Sequence, residues 1–389
     1  MKARPPKALL ADRIFDGFGW HREAAVLIED GKIRGIAARG EVPPNWPSRQ
    51  LPPQAMLVPG FIDLQVNGGG GVLLNDSPTI EGFRAVARAH RKFGTTACLP
   101  TLITDTRRKI AAAIDAARAI AGSDGVLGLH VEGPFINAAR RGVHRADLIS
   151  ETHASDLELF SGLRKAGRSL VTLAPECVPA GFIKTLAKSG TRISAGHSEA
   201  SASQMTRAIE DGLTGVTHLF NAMPPFAGRA PGIVGTTFAD ARLTAGLIVD
   251  GLHVDPVTVC AAFKAKGAAG IALVTDAMPT VGSDRTAFDL MGRHVNLKDG
   301  RLTTEDGTLA GAHLDMLSAV RNAVTFGGIR LDEALQAASL TPAHFLGVDD
   351  ERGVIRSGAR ADLAALTSDY AILETWIDGE EDAALKPNP

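Results

Sequence analysis

The middle of the chain alternates short apolar runs with longer stretches of helical spacing. The runs are Val58–Gln65, Thr96–Thr101, Val126–Glu132, Leu170–Ala174, Arg192–Ala195, Gly215–Leu219, Leu243–Val249 and Ile271–Thr275. Ala-rich segments such as Phe83–Phe93, Arg107–Ala121 and Ser201–Asp211 lie between them. Strands alternating with helices predict parallel βα units. Eight units between residues 58 and 350 fit a closed α/β fold, a (β/α)8 TIM-like barrel. A doubly wound open sheet is the alternative.

The two ends read differently. Short strands are predicted at Ala8–Ile14, Ala24–Glu29 and Lys32–Ala37, with a hairpin signal at Asp30-Gly31. A Pro-rich stretch from Pro43 to Pro53 reads as a linker. Strands return at Gly353–Ile355, Ala361–Leu366 and Ile372–Ile377, with a turn at Asp378-Gly379. Residues 1–57 and 351–389 are therefore expected to build one small β domain flanking a large insert of residues 58–350.

Composition narrows the partners. With 41 Lys and Arg against 43 Asp and Glu, there is no basic excess to bind nucleic acid or an anionic membrane. No apolar run approaches the roughly 18 residues that span a bilayer. Three scattered cysteines, Cys98, Cys177 and Cys260, make no disulfide framework. The expectation is a soluble, cytoplasmic protein with reduced thiols.

In such barrels chemistry sits at the C-terminal strand ends. Here most runs end on Gln, Asn, Glu, His or Asp rather than on the Lys and Glu of solvated loops. Glu132, His197 and His218 end three of them, and one carboxylate with two imidazoles is the ligand set of a catalytic zinc-type site. Iron or cobalt suits the same set. A single strand-end His is more often structural; three compatible ligands on nearby strand ends weigh against that. Asp276, ending the last run, alone reads as an N-cap, and beside a metal as a general base and acid. His253 reads as a ligand, a substrate contact or a turn residue. His253, His144 and Arg229 are three cationic or potentially cationic positions near the mouth and point to an anionic group, most simply a phosphate. Asn221-Ala222 offers backbone N–H donors to it. The glycine run Gly68–Gly71 lacks the spacing of a nucleotide loop and reads as a flexible turn. Glu176 also sits at a strand end and has no role in this reading.

The motifs PGFIDLQVNG (59–68), GLHVEGPF (128–135), SAGHS (194–198), THLFNAMP (217–224), DGLH (250–253) and LVTDA (273–277) together resemble the N-acetylglucosamine-6-phosphate deacetylases, a branch of the amidohydrolase superfamily. The resemblance spans nearly the whole chain and implies a small β-sandwich domain of residues 1–57 and 351–389 beside a metal-dependent catalytic (β/α)8 barrel of residues 58–350. It implies hydrolysis of N-acetyl-D-glucosamine 6-phosphate to D-glucosamine 6-phosphate and acetate by a homodimer. It implies Glu132, His197 and His218 as metal ligands, Asp276 as general base and acid, and His144 as polariser of the acetyl carbonyl. Val143, Asn221, Ala222, Arg229, Asp250, Gly251, Leu252, His253, Leu309, Ala310 and Gly311 would line the substrate site. Arg229 and His253 would reach the phosphate from the neighbouring subunit. Many amidohydrolases carry His-x-His after the first strand and hold a second metal. Gln65-Val66-Asn67 stands there instead, so one divalent metal per subunit is expected, zinc first, with iron or cobalt as alternatives. The stretch Ala312–Met316 departs from relatives with small hydroxyl residues there, which bears on sugar and acyl preference. N-acetylgalactosamine 6-phosphate is the alternative substrate. A non-catalytic sugar-phosphate sensor competes, but such a protein has no need of a proton-transfer Asp. A nucleobase or cyclic-amide hydrolase more often uses the missing His-x-His.

Overall fold

Every apolar run of the middle segment becomes a strand in the computed structural model, which describes residues 4–381. The strands are β1 (Phe61–Val66), β2 (Thr95–Ile103), β3 (His130–Glu132), β4 (Leu170–Leu173), β5 (Arg192–Ala195), β6 (Gly215–Val216), β7 (Thr244–Leu247) and β8 (Ile271–Leu273). They pair in chain order, all parallel. The ring closes where the Asp276 N–H donates to the Gln65 carbonyl at 2.9 Å, beside a parallel bridge between Val66 and Ala277. That closure excludes the open sheet. It also sets Gln65 and Asn67 against Asp276, so the barrel seam is part of the site.

The Ala-rich segments form helices α1 (Ile80–Arg91), α2 (Arg107–Ile120) and α3 (Ala202–Glu210), capped by Thr79, Thr106 and Ser201. Each cap oxygen accepts a backbone N–H that the helix leaves unpaired. Their apolar stripes, such as Phe83, Val86 and Ala87 or Ile110, Ala113 and Ala117, pack into the barrel core.

The run Val58–Gln65 is split between two sheets. Met56–Pro59 pairs with Lys7–Phe15 and with Leu363–Leu366 in an eight-stranded terminal sheet. At Gly60 the chain crosses to β1, and a Cβ there would lie 2.2 Å from the Thr96 side chain. Only glycine allows that approach. Along the terminal sheet, alternate residues serve two cores, as a period of two requires. Phe15, Met56, Val58, Ala364 and Leu366 join the barrel core, whereas Ile14, Leu57, Leu363, Ala365 and Trp376 fill a separate one. The terminal pieces are thus a separate sheet domain docked on the barrel; positions 1–3 and 382–389 of the expected domain lie outside the described residues.

Two features differ from the sequence expectation. Gly68–Gly71 is no loose turn: Gly68–Gly69 pairs with Val72–Leu73, and the N–H groups of Gly68, Gly70 and Gly71 donate to the carbonyls of Ala277, Val281 and Pro279 at 2.8–2.9 Å. After β8 a three-stranded sheet intervenes, Ala287–Leu290, Arg293–Lys298 and Arg301–Thr304. Its buried Phe288, Val295 and Leu302 cluster with Val143, Met278 and Ala310 at the barrel mouth. Among the described residues no helix is long and apolar enough to cross a membrane.

Candidate active site at the barrel mouth

Three strand ends converge. Glu132 is the last residue of β3, and His197 and His218 follow β5 and β6 by two residues. Glu132 Oε1 lies 3.1 Å from His197 Nε2 and 3.0 Å from His218 Nε2, and the two Nε2 atoms are 3.1 Å apart. Atoms sharing one cation at about 2.1 Å have a spacing of ~3.0–3.4 Å, so this donor set fits a divalent metal. His197 Nδ1 donates to the Arg140 carbonyl at 2.8 Å, which leaves Nε2 with its lone pair toward the cluster. His144 also offers a ring nitrogen within 4.8 Å of ligand atoms of Glu132 and His197. The shorter contacts of His218 to both make it the better third ligand.

Asp276 stands beside this set. Its Oδ1 accepts from Asn67 Nδ2 at 2.6 Å and from Gln65 Nε2 at 3.1 Å. Gln65 Nε2 also donates to Glu132 Oε2 at 3.1 Å, so one amide bridges the two carboxylates. Among the described residues Oδ2 has no hydrogen-bond partner. Burial, followed by the charge of Glu132, pushes the Asp276 carboxyl up to about 6. Burial also raises Glu132, but the His197 and His218 imidazoles beside it overcome this and hold that carboxylate well below its usual range. His144 is held down to about 3, first by burial and then by the neighbouring imidazole of His197, so it is neutral. Its Nδ1 meets Thr104 Oγ1 at 2.7 Å.

The backbone carries strain where these side chains leave it. His197, His218 and Asp276 have φ of +49°, +32° and +51°, and Ala222 has +52°. Side chains larger than glycine are uncommon in that region, and here three of them, His197, His218 and Asp276, meet at one barrel mouth.

A cavity of about 360 Å³ opens over the cluster. Its walls include Glu132, His197, His218, Asp276 and His144, with Val143, Asn221, Ala222, His253, Leu309 and Gly311 from the remaining expected positions. Ala310 is buried behind it. Asp250, Gly251 and Leu252 do not line it, yet they form the turn that sets His253. Asp250 accepts from His253 Nδ1 at 2.6 Å and from the N–H groups of Leu252 and His253 at 2.8 Å. Arg229 is exposed and outside the lining, whereas His253 lines the cavity of its own chain. Thr104, Arg140, Met278 and Thr308 were missed. For Thr104 the one faint signal was the apolar pair Leu102-Ile103 beyond Thr101: in the structure β2 runs on to Ile103, so the mouth residue is Thr104, while Thr101 turns inward to His130.

A closed barrel with a strand-end carboxylate, two imidazoles and a half-buried aspartate defines a hydrolase of the amidohydrolase type. Residues 56–381 match the Amidohydrolase family, and the chain belongs to it. Two relatives carry the comparison to a branch of that family. The chain is 41% identical over 389 residues to the N-acetylgalactosamine-6-phosphate deacetylase of Shewanella sp. (strain ANA-3), covering 98% of this chain and 97% of that protein. It is 33% identical over 380 residues to the N-acetylglucosamine-6-phosphate deacetylase of Haemophilus influenzae, covering 96% and 98%. The crystal structure of N-acetylglucosamine-6-phosphate deacetylase from Pasteurella multocida superposes with a TM-score of 0.93 at 35% identity, covering 97% of this chain and all of that one. Within the amidohydrolases the chain therefore belongs with the amino-sugar-6-phosphate deacetylases.

Proposed function

We propose that the protein hydrolyses N-acetyl-D-glucosamine 6-phosphate to D-glucosamine 6-phosphate and acetate. The observation that carries this reading is Asp276, half-buried and bearing a free oxygen beside the Glu132/His197/His218 cluster, in a cavity sized for a small ligand. Glu132, His197 and His218 would hold one divalent cation, zinc first, with iron or cobalt suiting the same donors. When bound there, it supplies the Lewis acidity that ionises water near neutral pH and polarises a carbonyl.

The chain's own residues do the rest. Asp276 takes the proton of the attacking water at Oδ2 while Gln65 and Asn67 hold Oδ1. It then returns that proton to the leaving amine nitrogen. His144, neutral and held at Nδ1 by the Thr104 hydroxyl, is assigned the tautomer that donates Nε2–H to the acetyl oxygen as negative charge grows there. Val143 and the Leu309–Gly311 segment wall the sugar. The Asn221 and Ala222 backbone and His253, set by the Asp250–Leu252 turn, face the phosphate. Arg229, exposed on its own chain, is assigned to the neighbouring site of a homodimer; His253, lining its own cavity, is not. A phosphorylated substrate and three unpaired cysteines fit a cytoplasmic setting.

One metal per chain follows from the amides. Gln65 and Asn67 turn their NH2 groups to the Glu132 and Asp276 carboxylates and offer only neutral amide oxygens where a pair of imidazoles would hold a second ion, and zinc-type cations take thiolate, imidazole and carboxylate. Metal analysis of the purified protein is expected to give one tightly held ion per chain; two would contradict this.

A second reading has its own support: the Shewanella relative that acts on the galactosamine epimer is the more identical of the two. Acetate release from both 6-phosphates and from unphosphorylated N-acetylglucosamine separates them. Preference for the glucosamine epimer supports the proposal. Preference for the galactosamine epimer keeps the mechanism and overturns the assignment. Equal turnover of the unphosphorylated sugar contradicts the phosphate site.

A further inference from the structure

His197 is a demanding ligand to place. It follows β5 on a left-handed backbone, with φ of +49°, and it is 6% exposed. Something must hold the segment after it against relaxation. The nearest unassigned group is Glu176, half-buried in the turn Pro175–Cys177 just past β4. Its carboxylate accepts three hydrogen bonds. Ser198 Oγ donates to Oε2 at 2.6 Å, and the Glu199 N–H and Asn137 Nδ2 donate to Oε1 at 2.6 and 3.0 Å.

Each donor leads back to His197. Ser198 and Glu199 are the two residues that follow it. Asn137 donates its backbone N–H to the His197 carbonyl at 2.8 Å. The Asn137 Oδ1 accepts from the Ala139 N–H at 3.0 Å and so starts the turn Ala138–Arg140. That turn presents the Arg140 carbonyl to His197 Nδ1. The Arg140 side chain in turn pairs with the Glu199 carboxylate. One carboxylate thus grips the chain beyond the ligand and also the loop that fixes the ligand's tautomer. Loops from β3, β4 and β5 meet on it.

We infer that Glu176 is a positioning residue for metal binding: its three-way hydrogen bond holds His197 with Nε2 in the cluster, an inference that rests on the metal reading above. Glu176 does not line the cavity, so it acts through the segment after His197 and the 137–140 loop that holds the His197 ring. What matters is acceptors at the right reach, with charge secondary. In Glu176→Gln the amide oxygen can still accept from Glu199 and Asn137, and the NH2 can donate to Ser198 Oγ. In Glu176→Asp the charge stays but the carboxylate draws back.

The test is zinc affinity of the full-length protein, by competition with a chromophoric chelator, alongside the thermal midpoint of the zinc-free forms. Glu176→Ala is expected to weaken zinc by about 10- to 100-fold, the usual cost of losing a group that orients a ligand. Glu176→Asp is expected to weaken it by about tenfold. Glu176→Gln is expected to stay within about threefold of wild type, the worth of one weakened hydrogen bond. A merely structural role would lower the zinc-free midpoint and leave zinc affinity untouched, and that result overturns the inference. Should the Ala variant not fold, the other pair decides: Asp binding zinc as well as or better than Gln overturns it. Wild-type protein that takes up no zinc overturns the metal reading itself and this inference with it. Wild-type binding matched by Glu176→Ala overturns this inference alone.

Discussion

Asp276→Asn is expected to lower turnover by about 10²- to 10⁴-fold, the span of a lost general acid–base group, while the metal stays bound. The substitution keeps the shape of the side chain. An amide oxygen in place of Oδ1 can still accept from Asn67 and Gln65, so the seam between β1 and β8 is preserved. Oδ2 becomes an NH2 group, which can neither take a proton from water nor hand one to an amine. None of the short contacts among Glu132, His197 and His218 involves Asp276, so the donor set for the metal is unchanged. Acetate release measured beside metal content checks both halves. Near-normal turnover with metal bound would remove Asp276 from the chemistry. Loss of metal along with activity would make it a ligand.

The second large effect is expected at Glu132. Glu132→Gln removes the one carboxylate oxygen that both imidazoles approach within 3.1 Å and puts a neutral amide there. Amides are weak ligands for zinc-type cations, which take thiolate, imidazole and carboxylate. Losing even a group behind the ligands costs about 10- to 100-fold in affinity or activity, so turnover at limiting metal should fall by at least about 10²-fold. The variant should also need more added metal to regain activity. Titration of acetate release against zinc measures this. A variant that keeps wild-type metal content and turnover would show that the cluster is not the metal centre.

These two residues were legible in the sequence because each ends a run of strand period. The barrel was legible for the same reason, since eight apolar runs separated by helical stretches leave little else. Less visible was anything that depends on where one strand stops. The run Val58–Gln65 reads as unbroken, yet Gly60 divides it between two sheets because its neighbours at Thr96 leave no room for a Cβ. The run ending at Thr101 continues to Ile103, which moves the mouth position from Thr101 to Thr104. The three-stranded sheet after β8 is short and polar on its outer positions. Only Asp299-Gly300, between its second and third strands, signalled it.

Glu176 shows a different limit. Its position at a strand end was plain, but its role depends on donors from residues 137, 198 and 199, whose meeting no local pattern announces. The glycine run was misread for a related reason. Its N–H groups are tied to the 277–281 loop, which is distant in sequence and adjacent only because the barrel closes. Arg229 was read from its loop as a contact to the substrate phosphate, and on its own chain it stays exposed, apart from the cavity.

The most direct measurement follows acetate from N-acetyl-D-glucosamine 6-phosphate with the protein as purified, after chelation, and after zinc is restored. Release that stops on chelation and returns with about one zinc per chain is the predicted result. Release that persists with the metal stripped, or no release with metal bound, would contradict a metal-dependent deacetylase of this sugar phosphate.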